Sequence, residues 1–333
     1  MKDARGTKSL LPAFIRTALC AAILSLHSAS QAQSCPAKPI RILTSAPAGP
    51  YDIALRGLTP TLGQALGQTV VVENRTGGNY VPLGEACVRA NPDGYTLCTA
   101  DIYTTILNTH AFARPAYAVK DFLPIIHFGH LYSALILHPS VPANSLAELL
   151  ALAKAKPESI AFGTPGPATN SAMYVDYWKK NQGIAFLNVP YKAFTQAVNA
   201  VISGEIQVSL YGLGQAMNQV RAGKVKAIAI TGEQRSRFAP HLPTFLESGI
   251  DLTIANWGGF AAPVGTPRDV IMRLNMEIKK VISDPVLKEK FLDGQGFDQA
   301  APSGGTPEEF GAFLRSEDEK FARIVKITGL RLD

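Results

Sequence analysis

Hydroxyls, glycine and bare backbone gather at three places in the 333-residue chain. The first holds Thr44, Ser45, Ala48 and Gly49 ahead of Tyr51 and Asp52. The second holds Thr99, Asp101, Tyr103, Thr104 and Thr105, and the third Thr164, Thr169, Asn170 and Ser171. Such groups hydrogen-bond a small polar molecule and transform nothing. Nucleophilic catalysis needs a base within reach and a group that orients it. The chain has no G-x-S-x-G motif, and Ser45 and Ser171 have no adjacent histidine motif. An exported hydrolase that uses a loop serine on a small ester or amide is the enzyme alternative. Paired carboxylates are missing, since Asp52 and Asp101 stand far apart in sequence. His127 and His130 are three apart on a strand-and-loop stretch without a neighbouring acid, which suits structural histidines better than zinc ligands. There is no P-loop, and Gly212-Leu213-Gly214 lacks the third glycine of a dinucleotide site. The expectation is a binding protein, not an enzyme, with no cofactor and no metal.

The elements around these residues explain what the clusters are for. Ile40 to Leu43 reads as a buried strand, Pro47, Gly49 and Pro50 punctuate a loop, and Asp52 opens an amphipathic segment with Ile53, Leu55, Leu58, Leu62 and Leu66. A strand followed by a tight loop and a helix start aims free amides and a partial positive charge at an anion. Gly67 ends that helix, Thr69 to Glu73 is a second strand, a helix covers Leu83 to Ala90, and Asn91-Pro92-Asp93-Gly94 stops it. Tyr95 to Thr99 is a third strand, with Ala100 to Thr105 as its exit loop. This alternation predicts a parallel, doubly wound α/β sheet. The pattern repeats after His138-Pro139-Ser140-Val141-Pro142. Asn144 or Ser145 caps a helix, with Glu148 at the capping-box position relative to Ser145, Ile160 to Gly163 is a strand, the loop Gly163 to Ser171 follows it, and Ser171 to Lys180 is helical. Further strands fall at Phe186 to Val189, Gln207 to Tyr211 and Lys226 to Ile230, and Trp257 to Pro263 is a connecting strand. Helices are expected at Pro267 to Ile282 with Thr266 as cap, at Pro285 to Leu292 and at Thr306 to Ile327. Two α/β units would each carry a small-residue loop at the carboxyl end of a strand, where open sheets bind ligands.

The N-terminus explains half of the charge. Lys2, Arg5, Lys8 and Arg16 against Asp3 place three of the six net positive charges in the first 32 residues, leaving +3 on the rest. That is too little to suggest nucleic acid. The basic start, the apolar run Ala18 to Leu26 and Ser30-Gln31-Ala32 form a secretory signal over residues 1–32, too short for a membrane span of about 20 apolar residues. Export to the periplasm with a cleaved signal is expected. Of four cysteines, Cys20 lies in the signal, Cys35 follows it, and Cys87 and Cys98 are placed where they can pair.

Residues spread through the chain carry a family signature: Lys38-Pro39-Ile40-Arg41-Ile42, Ala65-Leu66-Gly67-Gln68, Val70-Val71-Val72-Glu73-Asn74-Arg75, Asn91-Pro92-Asp93-Gly94-Tyr95-Thr96-Leu97, Asn188-Val189-Pro190-Tyr191-Lys192 and Ala262-Pro263-Val264-Gly265-Thr266-Pro267. In order and spacing they resemble the extracytoplasmic solute receptors of tripartite tricarboxylate transporters, the Bug-type receptors. The resemblance implies a two-domain periplasmic-binding-protein fold, type II-like, with the ligand cleft between domains. Residues 36–132 and 257–333 would build one domain and 133–256 the other. It also implies a small carboxylate as ligand, membrane subunits of such a transporter or a sensor protein as partner, and a monomer. In the family the first loop grips a carboxylate through backbone amides. Here Pro50 and Tyr51 stand where small residues are usual, and Tyr211 replaces an acid that selects amino groups. Tyr51, Tyr103 and Tyr211 would then favour a larger or aromatic acid. With Tyr191, the expected ligand contacts are those of the three loop clusters: Ala48, Gly49, Asp52, Thr99, Asp101, Thr164, Thr169, Asn170 and Ser171.

Overall fold

A computed structural model describes residues 38–45, 47–166, 168–192, 194–300 and 302–332. The expected signal at 1–32, with Cys20, and Cys35 after it lie outside the described residues. Strand β1 (Ile40–Thr44) leads to helix α1 (Pro50–Leu66), then to β2 (Val70–Asn74), α2 (Val81–Val88) and β3 (Thr96–Asp101). After a π-helical turn at Ile102–Leu107 come β4 (Phe122–Leu131), β5 (Ser133–Leu137), α3 (Leu146–Ala155), β6 (Ala161–Thr164), α4 (Asn170–Gln182), β7 (Leu187–Pro190), α5 (Phe194–Ser203), β8 (Val208–Gly212), α6 (Leu213–Arg221) and β9 (Lys226–Ile230). The chain ends with β10 (Asn256–Pro263), α7 (Arg268–Ser283), β11 (Phe297–Asp298) and α8 (Pro307–Thr328).

These strands form two sheets, ordered β11-β4-β10-β3-β1-β2 and β7-β6-β8-β5-β9. The parallel run expected from the first three strands is present, and antiparallel strands join each sheet. β1, β2 and β3 are parallel, but β10 runs antiparallel between β3 and β4, and β5 runs antiparallel between β8 and β9. The connecting strand is therefore a central strand of the first sheet. Its residues Trp257, Phe260, Ala261 and Ala262 are buried, as a strand covered on both faces requires.

Local chemistry sets the helix ends. α1 starts at Pro50 with Gly49 as cap, two residues before the expected opening at Asp52, because proline's fixed φ suits the first turn. It then runs through Pro60, which cannot bond the Arg56 carbonyl, and the Thr59 hydroxyl donates to that oxygen instead at 3.4 Å. Burial of Leu55, Leu58, Leu62 and Leu66, about 1.5–3 kcal/mol each, outweighs the loss. Gly67 ends the helix at φ 68°, as expected. Three further expectations change. Ala100 and Asp101 belong to β3, and the exit after them is helical, because the Asp101 carboxylate caps it. Thr266 does not cap α7; its hydroxyl donates to the Pro263 carbonyl, and Pro267 is the cap. The helix expected from Pro285 breaks into Pro285–Leu287 and a π-turn at Lys288–Leu292. Thr306 caps α8 with Glu309 in a reciprocal capping box.

Cys87 on α2 and Cys98 on β3 are joined as a disulfide, their Cα atoms 5.9 Å apart and both side chains fully buried. The bridge closes a loop with a sequence separation of 11, for which chain entropy gives roughly 2–3 kcal/mol. The Cys87→Ala/Cys98→Ala double variant should melt a few degrees below the native chain by calorimetry. An unchanged melting temperature would show that the bridge contributes nothing to stability.

Candidate functional site

Register places the clusters on facing edges. Thr44 at the end of β1 pairs with Asn74, Asp101 at the end of β3 with Gly258, and Asn256 at the start of β10 with Leu131 at the end of β4. One residue later the chain enters the second sheet, where Ser133 pairs with Gly212. The first sheet thus presents β1, β2 and β3 by their carboxyl ends at the edge from which Tyr132 crosses. The second presents β6, β7 and β8 by theirs, next to Ser133.

Asp52 shapes the first loop from behind. Its carboxylate, 4% exposed, accepts from the Ala48 amide at 3.0 Å, from Arg56 Nε at 3.0 Å and from Asn74 Nδ2 at 2.9 Å. Burial pushes this carboxyl up, and the bonds from Arg56, Asn74 and Ala48 outweigh burial and hold it below its ordinary value. Asn74 also donates to the Ser45 carbonyl at 3.0 Å. Ala48 sits at φ 57°, a left-handed backbone that costs an alanine about 1–2 kcal/mol, and the Asp52 bond holds it there. With its acceptors engaged, Asp52 supports the loop from inside the protein.

Three tyrosines surround Asp101. The Tyr51 hydroxyl donates to the Trp257 carbonyl at 2.7 Å, and its ring meets the edge of Phe297 at 5.4 Å between centroids. A Cβ on Gly258 would lie 2.7 Å from that ring, so only glycine allows the approach. Tyr80 and Tyr103 rings are 6.2 Å apart. Asn79 and Tyr80 are consecutive left-handed residues, at φ 52° and 64°, a strained pair beside the cluster. Asp101, 1% exposed, accepts from the Tyr103 and Thr104 amides at 2.9 and 2.8 Å and from the Thr104 hydroxyl at 3.0 Å. Burial raises its pKa to about 6 against those bonds. Burial also raises Tyr51 and Tyr80, with the Asp101 charge adding to it, and both stay protonated.

From the second sheet, Thr169 caps α4, and Asn170 Nδ2 lies 3.4 Å from the Ser133 hydroxyl. The Tyr103 hydroxyl sits beside the Asn170 backbone and the Asn256 side chain without completing a hydrogen bond of normal geometry to either. Four buried polar atoms of these segments have no partner: Tyr103 Oη, Thr105 Oγ1, Ser171 Oγ and Asn256 Oδ1. Each unmet group of this kind costs about 1–3 kcal/mol, so such groups call for an explanation.

The structure therefore brings Tyr51, Asp101, Tyr103, Asn170 and Ser171 into one neighbourhood, with Ala48 and Gly49 at the start of α1. Other expected contacts spend their polar groups within the protein. Thr99 bonds Thr44, Thr164 bonds Asn188 at 2.7 Å, Thr169 bonds the Gly166 carbonyl, and Tyr191 bonds Glu205 at 3.1 Å. Tyr211, half-buried, pairs with Ala134 at the end of β8. Sequence reasoning missed Asn74, Tyr80 and Asn256. Asn74 was reachable, because it ends a parallel strand, whereas Asn256 matters only once β10 is known to run antiparallel.

The Asp101 carboxyl holds its proton more tightly folded, near pH 6, than at its ordinary value of 3.8. The contribution of this group to stability is therefore full below about pH 4, falls as pH rises to about 6, and is then flat, with a loss of roughly 3 kcal/mol at most. Asp101→Asn keeps the acceptor oxygen and removes the titration. Melting temperatures between pH 4 and 8 should show this variant gaining on the native chain as pH rises. Parallel curves would assign the titration elsewhere.

Comparison with known proteins gives the family and the fold. Residues 54–330 match the family described as tripartite tricarboxylate transporter family receptor. Protein BugT of Bordetella pertussis is 29% identical over 323 residues, 96% of each chain. The solved periplasmic binding protein BugD superposes with a TM-score of 0.74 at 26% identity, covering 89% of this chain and 99% of that one. An R. palustris protein solved with adipate shares the fold, with a TM-score of 0.75 at 23% identity and coverage of 89% and 99%. The two-sheet architecture is that of the periplasmic binding proteins, and the chain belongs to the receptor family of the tripartite tricarboxylate transporters.

Proposed function

We propose that this chain is an exported receptor that captures a small organic carboxylate, without altering it, between two α/β halves. The halves are residues 36–132 with 257–333, and residues 133–256. One observation carries this reading: Tyr103 Oη, Ser171 Oγ and Asn256 Oδ1 are buried, unpartnered and drawn from segments of both sheets. A bound polar molecule would satisfy them. The start of α1 supplies amides and a partial positive charge for a carboxylate, which needs no arginine there. That a fold relative was solved with adipate agrees with an acidic ligand.

The ring cluster of Tyr51, Tyr80 and Tyr103 favours an acid with an aromatic or extended apolar body. In this reading residues 1–32 direct export to the periplasm. The loaded receptor is a monomer that delivers its ligand to membrane subunits of a tripartite tricarboxylate transporter or to a sensor protein. The hydrolase alternative is weaker, because the Ser171 hydroxyl has no hydrogen-bond partner and hence no base beside it.

A thermal-shift screen of benzoate, terephthalate, adipate and succinate tests the reading, since a ligand that binds the folded state raises the melting temperature by mass action. At least one acid should bind and be recovered intact. Ser171→Ala should weaken that binding about tenfold, the scale of one hydrogen bond to a charged group. Binding of succinate with none of the aromatic acids would exclude the aromatic preference, and turnover of an ester would exclude the receptor.

A further inference from the structure

A cavity of about 160 Å³ lies where the two sheets join. Both crossings contribute to its wall, Tyr132 on one and Thr253 with Ala255 on the other, and so do the turn after β9 and helix α8. Alternation along β10 turns neighbouring side chains to opposite faces. Asn256 belongs to the cleft described above, while the Trp257 indole faces this cavity with Phe313.

The charges inside are unusual. Glu317, whose side chain is only 4% exposed, accepts from Trp257 Nε1 at 2.9 Å and forms an ion pair with Lys320. Burial raises the Glu317 carboxyl, with the Lys320 and Trp257 bonds acting against it. Lys320 also faces Glu233 from the other sheet, at 3.4 Å. That pair is long, Glu233 is 62% exposed, and its contact with Thr253 Oγ1 is also 3.4 Å. An exposed pair of this kind is worth about 1 kcal/mol or less. Glu233 is thus a loose partner over a well-held Lys320–Glu317 pair.

We infer that this cavity is a second ligand site, built for a small zwitterion such as an amino acid or a betaine. The ligand inserts between Lys320 and Glu233. Its carboxylate takes the place of Glu233 on Lys320, and its ammonium group meets the Glu233 carboxylate. A simple anion would meet the two carboxylates, and a simple cation would meet Lys320. Only a molecule with both charges answers both, and one weak ion pair is exchanged for two. The volume matches a cavity of about 150 Å³ that takes a benzene-sized guest, which suits a body of about six to eight heavy atoms. The site stands independently of what the cleft binds.

The chain has two tryptophans, so its indole N–H signals in a nitrogen-15 proton correlation spectrum separate readily, and Trp257 reports on Glu317. Alanine should shift the Trp257 signal along a saturable curve and leave Trp178 in place. Acetate and methylammonium chloride at matched ionic strength should leave both signals still. Glu233→Gln, a surface change that leaves the fold intact, should raise the Kd for alanine about tenfold, and Ser171→Ala should not change it. The inference is overturned by a linear drift shared by both signals, by an equal response to acetate or methylammonium, or by an unchanged Kd in Glu233→Gln.

Discussion

The seat of Trp257 is the point on which the rest depends. Its strand enters the first sheet from the second and must find a slot between β3 and β4, in the direction opposite to β3. Once there, its carbonyl takes the Tyr51 hydroxyl and its indole donates to Glu317, so one residue ties helix α1 to helix α8 through the sheet. Gly258 and Gly259 follow because the rings of Tyr51, Phe128 and Phe310 occupy the space that side chains would need. A chain of polar contacts therefore runs from Tyr51 through Trp257, Glu317 and Lys320 to Glu233 on the second sheet.

Electrostatics give the cleft its character. Asp101 is buried among Tyr51, Tyr80 and Tyr103, and it is not paired with a cation; its bonds come from Thr104 and Tyr103. A carboxyl held that way disfavours its own ionisation and any further unscreened negative charge beside it. For the acidic ligand proposed above, that favours a carboxylate towards the start of α1, away from Asp101, with its apolar part on the tyrosines. The position of Asp52 fits this division. Its charge is neutralised by Arg56, which is the adjacent cation, and so leaves the helix terminus electropositive.

Much of this arrangement was legible in the sequence, and the exceptions share a cause. β1, β2 and β3 with their helices follow from apolar runs and from the glycine and proline between them, and Lys226–Ile230 was placed to the residue. The loops with Tyr51, Tyr103 and Ser171 could be singled out because parallel strands display their carboxyl ends. What could not be read was non-local. Nothing in the run before Trp257 says that it returns as a central antiparallel strand, so Asn256 carried no signal. Asp52 read as the opening of a helix and as a ligand contact, but its role is set by Asn74 and Ala48, which only folding brings to it. Tyr80 is disclosed by its left-handed φ, a property invisible in residue type.

The crossings also decide which contacts a rotation between the sheets disturbs. They leave the first sheet at the ends of β4 and β10, and β1 lies three strands from β4 while β11 is its direct neighbour. With strands about 4.8 Å apart, the loop after β1 stands about 14 Å from β4 and β11 about 5 Å. Firm polar contacts between the halves include a set close to the crossings. Asp298 of β11 takes the Ser236 hydroxyl at 2.7 Å, the Arg237 amide at 3.0 Å and Arg237 Nε at 3.4 Å. Tyr103, which follows β3 on the other side of the crossings, stands against Asn170 with its hydroxyl unmet. A rotation about an axis midway between the two crossings moves the loop after β1 roughly 1.7 times as far as β11. Of these polar contacts, those of Asp298 are formed and that of the Tyr103 hydroxyl is not.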